Sequence, residues 1–376
     1  MLQLTGLDAA FLAMETPSVF GHVASLIVLD PSTSPEPLTL ERLTRLVERR
    51  LHLIPPFRRR LAAVPLGLDQ PYWIEDPDFD IEFHVRELAL AAPGDDKQLA
   101  EQAARLHARP LDRSRPLWEL YLIHGLSGGR MAVYTKVHHA AIDGVSGNDV
   151  LAAVVDLTPE GRAEEEPPPW KGDKQPGNVA LLARSAVSLA GHPVRAVRVS
   201  YGLARSLPAL ASSLRPRVPL VDRFLGNDAK VVLPGAGFRA PSTPFNRSVS
   251  PHRRFAFCSV PLADVKAVKK AAGCTVNDVV MALSTGALRR WLQDHDALPT
   301  SPLIGAVPVS VRSEAEKGKG GNRVSMMIAA IPTNVGDPKA RLAACHHAMG
   351  AAKDQHGALP ADLLSDVTQF AAPALA

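Results

Sequence analysis

The chain has 376 residues, 46% hydrophobic and 21% charged, a balance that supports a sizeable core and excludes an intrinsically disordered polypeptide. Forty-two Lys and Arg against 38 Asp and Glu leave a formal charge of only +4, too mild to imply a nucleic-acid partner, and the length points to more than one domain. Cys258, Cys274 and Cys345 are odd in number and show no CxxC spacing, so neither a disulfide framework nor a thiolate metal site is expected. A reducing cytoplasm fits them. Asp8 interrupts the N-terminal apolar stretch, so no export signal is expected. The longest apolar runs, such as 23–29, are strand-sized, so any membrane contact is expected to be peripheral.

Residues 22–29 are apolar and partly β-branched, and Asp30, Pro31 and Ser32 follow, which predicts a buried strand. Leu40, Leu43, Val47 and Leu51 recur at three- and four-residue steps opposite Glu41, Arg42, Arg45, Glu48 and Arg49. That predicts an amphipathic helix ended by Pro55 and Pro56. A second helix is predicted over 97–108, with Leu99, Ala103 and Leu106 on one side, closing before Pro110. Residues 118–123 and 131–139 read as strands of a hairpin that turns through Ser127, Gly128 and Gly129. Within 158–178, Glu164, Glu165 and Glu166 run into Pro167, Pro168 and Pro169, the composition of a linker. Residues 179–217 carry six arginines and no acidic residue among apolar ones, which suits either an anionic lipid surface or a solvated crossover helix. Periodic structure resumes at Phe255, after a Pro/Gly loop over 234–244.

The segment most suggestive of chemistry is 133–147, VYTKVHHAAIDGVSG. Strand alternation sets His139 on the face of Val133, Thr135 and Val137, and His138 on the other face with Tyr134 and Lys136. On the more apolar side, desolvation favours a neutral imidazole, which is what a general base requires. Asp143 follows, Gly144 permits a sharp turn, and Ser146 with Asp149 resembles a capping box for a helix holding Val150, Leu151, Val154 and Val155. A lone buried histidine is commonly a hydrogen-bonded core residue, but His138, His139, Asp143 and Gly144 at this spacing are far more restrictive. Neighbouring strand residues point apart, as would His346 and His347 on a helix, so no metal centre is expected.

HHAAIDG matches the HHxxxDG signature of the chloramphenicol-acetyltransferase-like acyltransferases. More narrowly, the chain resembles the bacterial wax ester synthase/acyl-CoA:diacylglycerol acyltransferase family. The likeness is carried by LTGLDAAFLAME at 4–15, IPPFRRRL at 54–61, RPLWELYLIHGL at 115–126, SPHRRFAF at 250–257, TVNDVVMALSTGALRRWL at 275–292, VPVSVR at 307–312 and GNRVSMM at 321–327.

The resemblance implies an α/β fold of two chloramphenicol-acetyltransferase-like lobes with a substrate channel between them. The corresponding division is 1–157 for the lobe carrying HHxxxDG, 158–226 for a linker and basic crossover, and 227–376 for the second lobe. It further implies that His139 is the catalytic base, with His138 and Asp143 beside it, and that a long-chain acyl group passes from acyl-CoA to diacylglycerol or a long-chain alcohol without any cofactor. Asp143 is expected to orient the loop with Gly144, and Arg312 is its candidate partner across the lobes. Asn277 and Asp278 match a motif near the active site, although Asp278 also reads as a plain N-cap. Pro116, Leu117 and Trp118 match a channel motif, although they also read as packing where a strand begins. Gly286 is expected to admit a close neighbour within its helix. The family continues past the segment resembling 360–376, so the second lobe is expected to be incomplete. An inactive lipid-binding or interaction protein is then one alternative, and condensation-type transfer from a carrier protein is another. The expected location is cytoplasmic, at the inner membrane or a lipid droplet.

Overall fold

The computed structural model describes residues 1–142, 154–156, 158, 161–162, 167–190, 240–310 and 324–356. Asp143, Gly144, Ser146, Asp149 and Arg312 lie outside the described residues, as does most of the basic stretch.

The site rests on a four-stranded sheet in the order β2 (His22–Leu29), β7 (Met131–His138), β6 (Trp118–His124), β5 (Val85–Ala89). β7 runs antiparallel to both neighbours, and β5 pairs β6 in parallel. Alternation divides the sheet into two faces with different partners. Trp118, Leu120, Leu122, Val133 and Val137 pack with α1 (Gly6–Ala13) and α2 (Leu40–Arg50) in the main core. Tyr121, Ile123, Ala132 and Tyr134 pack against Leu99, Ala103 and Leu106 of α4 (Asp96–His107). A fully buried aliphatic side chain in such a layer contributes about 1.5–3 kcal/mol relative to exposure.

Both helices start where the sequence supplies caps. Thr39 accepts the Arg42 N–H, and Asp95 forms a capping box with Gln98. The hairpin joining β6 and β7 turns through Ser127–Gly129, where Gly128 takes φ 74°. A short helix, α3 (Ile81–His84), and a smaller sheet of β1 (Leu2–Gln3), β4 (Tyr72–Glu75) and β3 (Arg59–Ala62) complete this part. α5 (Asn178–Ala190) follows. None of β1, β3, β4, β5 or α3 was marked by a clear period, because each has only two to five residues.

Beyond residue 240, α6 (Leu262–Ala272) ends at Gly273 in the left-handed region, and α7 (Val276–Asp294) begins at once. The N-cap of α7 is Thr275, which forms a capping box with Asp278 at the third helical position. Asp278 is therefore not the N-cap: it closes the box from inside the first turn. The hairpin of β8 (Leu303–Ser310) and β9 (Val324–Ile331) packs on α8 (Pro338–His356), with Met327 and Ala329 against Met349 and Ala352. Gly286 of α7 admits the guanidinium of Arg341, which would lie 3.3 Å from an added Cβ. No single helix among the described residues is long and apolar enough to cross a membrane. α6 and α7 are long and apolar enough only together, across a bend of 104°.

Candidate active site

β7 ends at His138, and His139 opens a 3-10 turn, His139–Ile142. Strand alternation therefore does not carry through to His139 as the sequence suggested. The His139 N–H still donates to the Gly21 carbonyl at 2.6 Å, in the register that pairs His138 with His22, so the last β2–β7 bond is made by the first residue of the turn.

The two histidines differ in environment. His138 is 1% exposed; its Nδ1 accepts the Ala140 N–H at 3.0 Å, so the ring proton sits on Nε2, which faces Glu15 Oε1 at 3.0 Å. With both nitrogens engaged, His138 is a structural member of the site and has no free position for substrate. His139 is half-buried and stacks on Phe11, with ring centroids 4.1 Å apart. Its Nδ1 is buried without a hydrogen-bond partner, and Nε2 is bonded to no described residue. Burial pushes its pKa down, the ring's own backbone carbonyl opposes that, and His138 adds to the fall. At neutral pH this imidazole is uncharged and can accept a proton.

Glu15, Arg113 and His22 form a second layer that sequence reasoning missed. Glu15 accepts from His138, from the Gly21 N–H at 2.9 Å and from Arg113 at 2.7 Å. Burial alone would raise its pKa, but these hydrogen bonds outweigh it and pull the carboxyl down to about 2. Their partners lie 98 and 123 residues away in sequence, beyond any periodic signal. Glu15 does close the first block of family likeness, the one feature that could have singled it out. On the α4 face, Lys136 is wholly buried, yet its ammonium is satisfied by the Leu106 and Arg109 carbonyls and by Glu119 at 3.0 Å.

His22 has a side chain only 1% exposed, 3.8 Å from Glu15. Burial, reinforced by the Lys136 charge, pushes it down to about 4, against the pull of Glu15. The unfolded chain binds this proton near pH ~6.5 and the folded chain only near 4, so stability held above pH ~6.5 is lost as the pH falls toward 4. The limit is about 3 kcal/mol. Urea unfolding of the wild type and His22→Gln between about pH 7 and about pH 5 should give a shallower stability slope for the variant. Equal slopes would remove His22 as the source.

Of the other sequence-predicted residues, Leu117 adjoins the site, its carbonyl accepting the His138 N–H at 2.9 Å. Pro116 is buried, Leu117 is 0% and Trp118 1% exposed, and Trp118 is stacked between Phe57 and His84 with its Nε1 donating to the Phe57 carbonyl at 2.8 Å. Leu117 and Trp118 are core residues where β6 begins, in line with the packing alternative. Asn277 is exposed on the first turn of α7. Asp278 is buried and accepts from His346 Nδ1 at 2.8 Å and the Thr275 N–H at 2.9 Å. Burial would raise its carboxyl, but these bonds hold it below the usual range. Among the described residues, no hydrogen bond, ion pair or ring contact ties Asn277 or Asp278 to His138 or His139. Nor does any group of three or more His, Cys, Asp and Glu side chains converge on a point that could hold a metal.

The region after residue 240 packs beside the strand that carries His22. Arg253 donates to the Ser18 carbonyl at 2.5 Å, three residues before Gly21. Arg253, Arg254 and Phe255 cover a cavity of about 260 Å³ over Ala24–Leu26, His107 and Tyr134. A second cavity, about 230 Å³ and almost wholly apolar, lies between α2 and the β2–β7 pair and reaches Ile142, three residues past His139. His139 itself lines neither.

Residues 4–280 match the wax ester synthase/diacylglycerol acyltransferase catalytic domain, and residues 320–376 match the C-terminal domain of the same family. A putative diacylglycerol O-acyltransferase of Mycobacterium tuberculosis (strain CDC 1551) is 39% identical over 374 residues, 98% of this chain and 70% of that protein. The chain belongs to the wax ester synthase/diacylglycerol acyltransferase family. It is an acyltransferase, with the α/β two-lobed fold that the signature implied. A second putative diacylglycerol O-acyltransferase from the same strain is 37% identical over 362 residues, 96% of this chain and 74% of its own length. Among solved structures, the wax ester synthase/diacylglycerol acyltransferase from Marinobacter aquaeolei VT8 superposes with a TM-score of 0.64 at 28% identity, over 99% of this chain and 78% of that one. The first condensation domain of the calcium-dependent antibiotic synthetase shares the fold alone, with a TM-score of 0.51 at 19% identity over 95% of this chain and 75% of that one.

Proposed function

We propose that this acyltransferase moves a long-chain acyl group from acyl-CoA to the hydroxyl of diacylglycerol, with His139 as general base. The observation that carries the proposal is the state of His139: neutral, half-buried, fixed against Phe11, and with Nε2 unclaimed by any described residue. The hydroxyl proton passes to Nε2 as the oxygen attacks the thioester carbonyl. The tetrahedral oxyanion then collapses, the C–S bond breaks, and the imidazolium returns the proton to the departing thiolate. Since the thioester is already activated, neither an acyl-enzyme nor a cofactor is required, and holding the reactants together supplies the rest of the rate.

The apolar cavity that reaches Ile142 suits a hydrocarbon chain. The mycobacterial relatives' names favour diacylglycerol over a long-chain alcohol, while the Marinobacter enzyme is named for both. A peripheral position on an inner membrane or lipid droplet is supported by α5, which exposes Val179 and Val187 beside Arg184. Purified protein given labelled long-chain acyl-CoA with diacylglycerol or with hexadecanol is expected to yield triacylglycerol in excess over wax ester. Product only from a carrier-bound thioester would transfer the reading to condensation-type chemistry, and lipid binding without product would make it a binding protein.

A further inference from the structure

We infer that Glu15 is a positioning residue for the catalytic turn: one carboxylate that fixes the backbone on both sides of the His139 ring through Gly21 and His138. The inference rests on the reading of His139 as the base. On one side, Glu15 Oε1 accepts the Gly21 N–H at 2.9 Å, and the Gly21 carbonyl accepts the His139 N–H at 2.6 Å. On the other, Oε1 faces His138 Nε2 at 3.0 Å, and His138 Nδ1 accepts the Ala140 N–H at 3.0 Å. The peptide groups entering and leaving His139 are thus tied to the same oxygen, each through one intermediary.

The carboxylate is itself held. Arg113 bonds Oε2 at 2.7 Å and the Leu12 carbonyl at 2.6 Å, so the guanidinium is braced against the end of α1. The Glu15 side chain is 12% exposed; the groups facing it are the charged Arg113 and the neutral rings of His22 and His138, with the Lys136 ammonium behind them. Hydrogen bonds that favour the ionised form keep it a carboxylate at any pH where the enzyme works. Gly21 fits the same arrangement: a Cβ there would stand 3.1 Å from His138 Nε2 and press the ring away from the carboxylate.

Glu15→Gln keeps the length of the side chain, but whichever way the amide turns its N–H₂ meets a donor, either Arg113 at the Oε2 position or Gly21 and His138 at the Oε1 position. A displacement of the base by even 1 Å costs about a hundredfold in rate, so kcat is expected to fall by about that factor with KM for acyl-CoA little changed and the melting temperature near wild type. Selective labelling gives a readout independent of turnover. The His139 amide proton, in a short hydrogen bond, is expected downfield in the wild type and shifted upfield in Glu15→Gln. Wild-type kcat, an unmoved amide resonance, or activity lost only in proportion to folded protein would overturn the inference. If Glu15→Gln does not fold, Arg113→Gln takes its place, with kcat expected to fall about tenfold and the same resonance to move; no change in either overturns the inference equally. His139→Ala run alongside separates the two readings. Activity retained there removes the base, whereas an inactive His139→Ala beside a fully active Glu15→Gln removes only the positioning role.

Discussion

His139→Ala is expected to lower kcat by about 10³-fold, within the range of roughly 10²–10⁴ that a positioned general base supplies. The fold should persist, because the ring is half-buried and, among the described residues, stacks on Phe11 alone. KM for both substrates should change little, since the base acts on the reacting hydroxyl and does not anchor the acyl chain. His139→Gln should fall equally far despite its similar size, because an amide cannot take up a proton. Initial rates with purified variants of wild-type melting temperature provide the check. A His139→Ala enzyme within tenfold of wild type would exclude this ring from proton transfer.

Trp118→Ala is expected to destabilise the protein by about 3–5 kcal/mol. The indole fills a fully enclosed space between Phe57 and His84, with centroids 4.5 Å away on either side, and its loss leaves a cavity and an unmatched Phe57 carbonyl. Trp118→Phe keeps most of the volume but loses the indole donor, so its cost should be about 1–3 kcal/mol. Urea unfolding measures both. The outcome also decides what the Pro116–Leu117–Trp118 motif does. A core role lowers stability and leaves KM of the folded enzyme unchanged, whereas a raised KM at full stability would put Trp118 in contact with substrate.

The strands that flank the site were legible as short apolar runs bounded by turn residues, and α2 was legible because one of its faces is buried and the other is not. The apolar, partly β-branched run gave β2, which lies at the sheet edge with no buried residue and so is not the buried strand expected; the Ser127–Gly129 turn gave the β6–β7 hairpin, and the spacing of Leu40, Leu43 and Val47 gave α2. The HHxxxDG match led to His139, and desolvation gave the sense of its pKa. The end of β7 was misread by one residue because the 3-10 turn begins at His139, where the apolar run shows no break. Glu15 and Arg113 were invisible for the same reason: a carboxylate on an exposed-looking segment gains its role only when the folded chain brings His138 to it. Asp278 looked like a helix cap and does close a capping box, yet its other partner, His346, comes from a helix 68 residues away. Leu117 and Trp118 resembled a channel motif and are buried in the core where β6 begins.

The central claim is that an uncharged His139 takes the proton in the acyl-transfer step, and the pH dependence of kcat/KM tests it most directly. The wild type should show one acid limb with its half-point below about 6.5, since burial lowers the ionisation of this ring, and the residual activity of His139→Ala should lack that limb. An acid limb centred above neutrality, or an identical limb in the variant, would contradict the account.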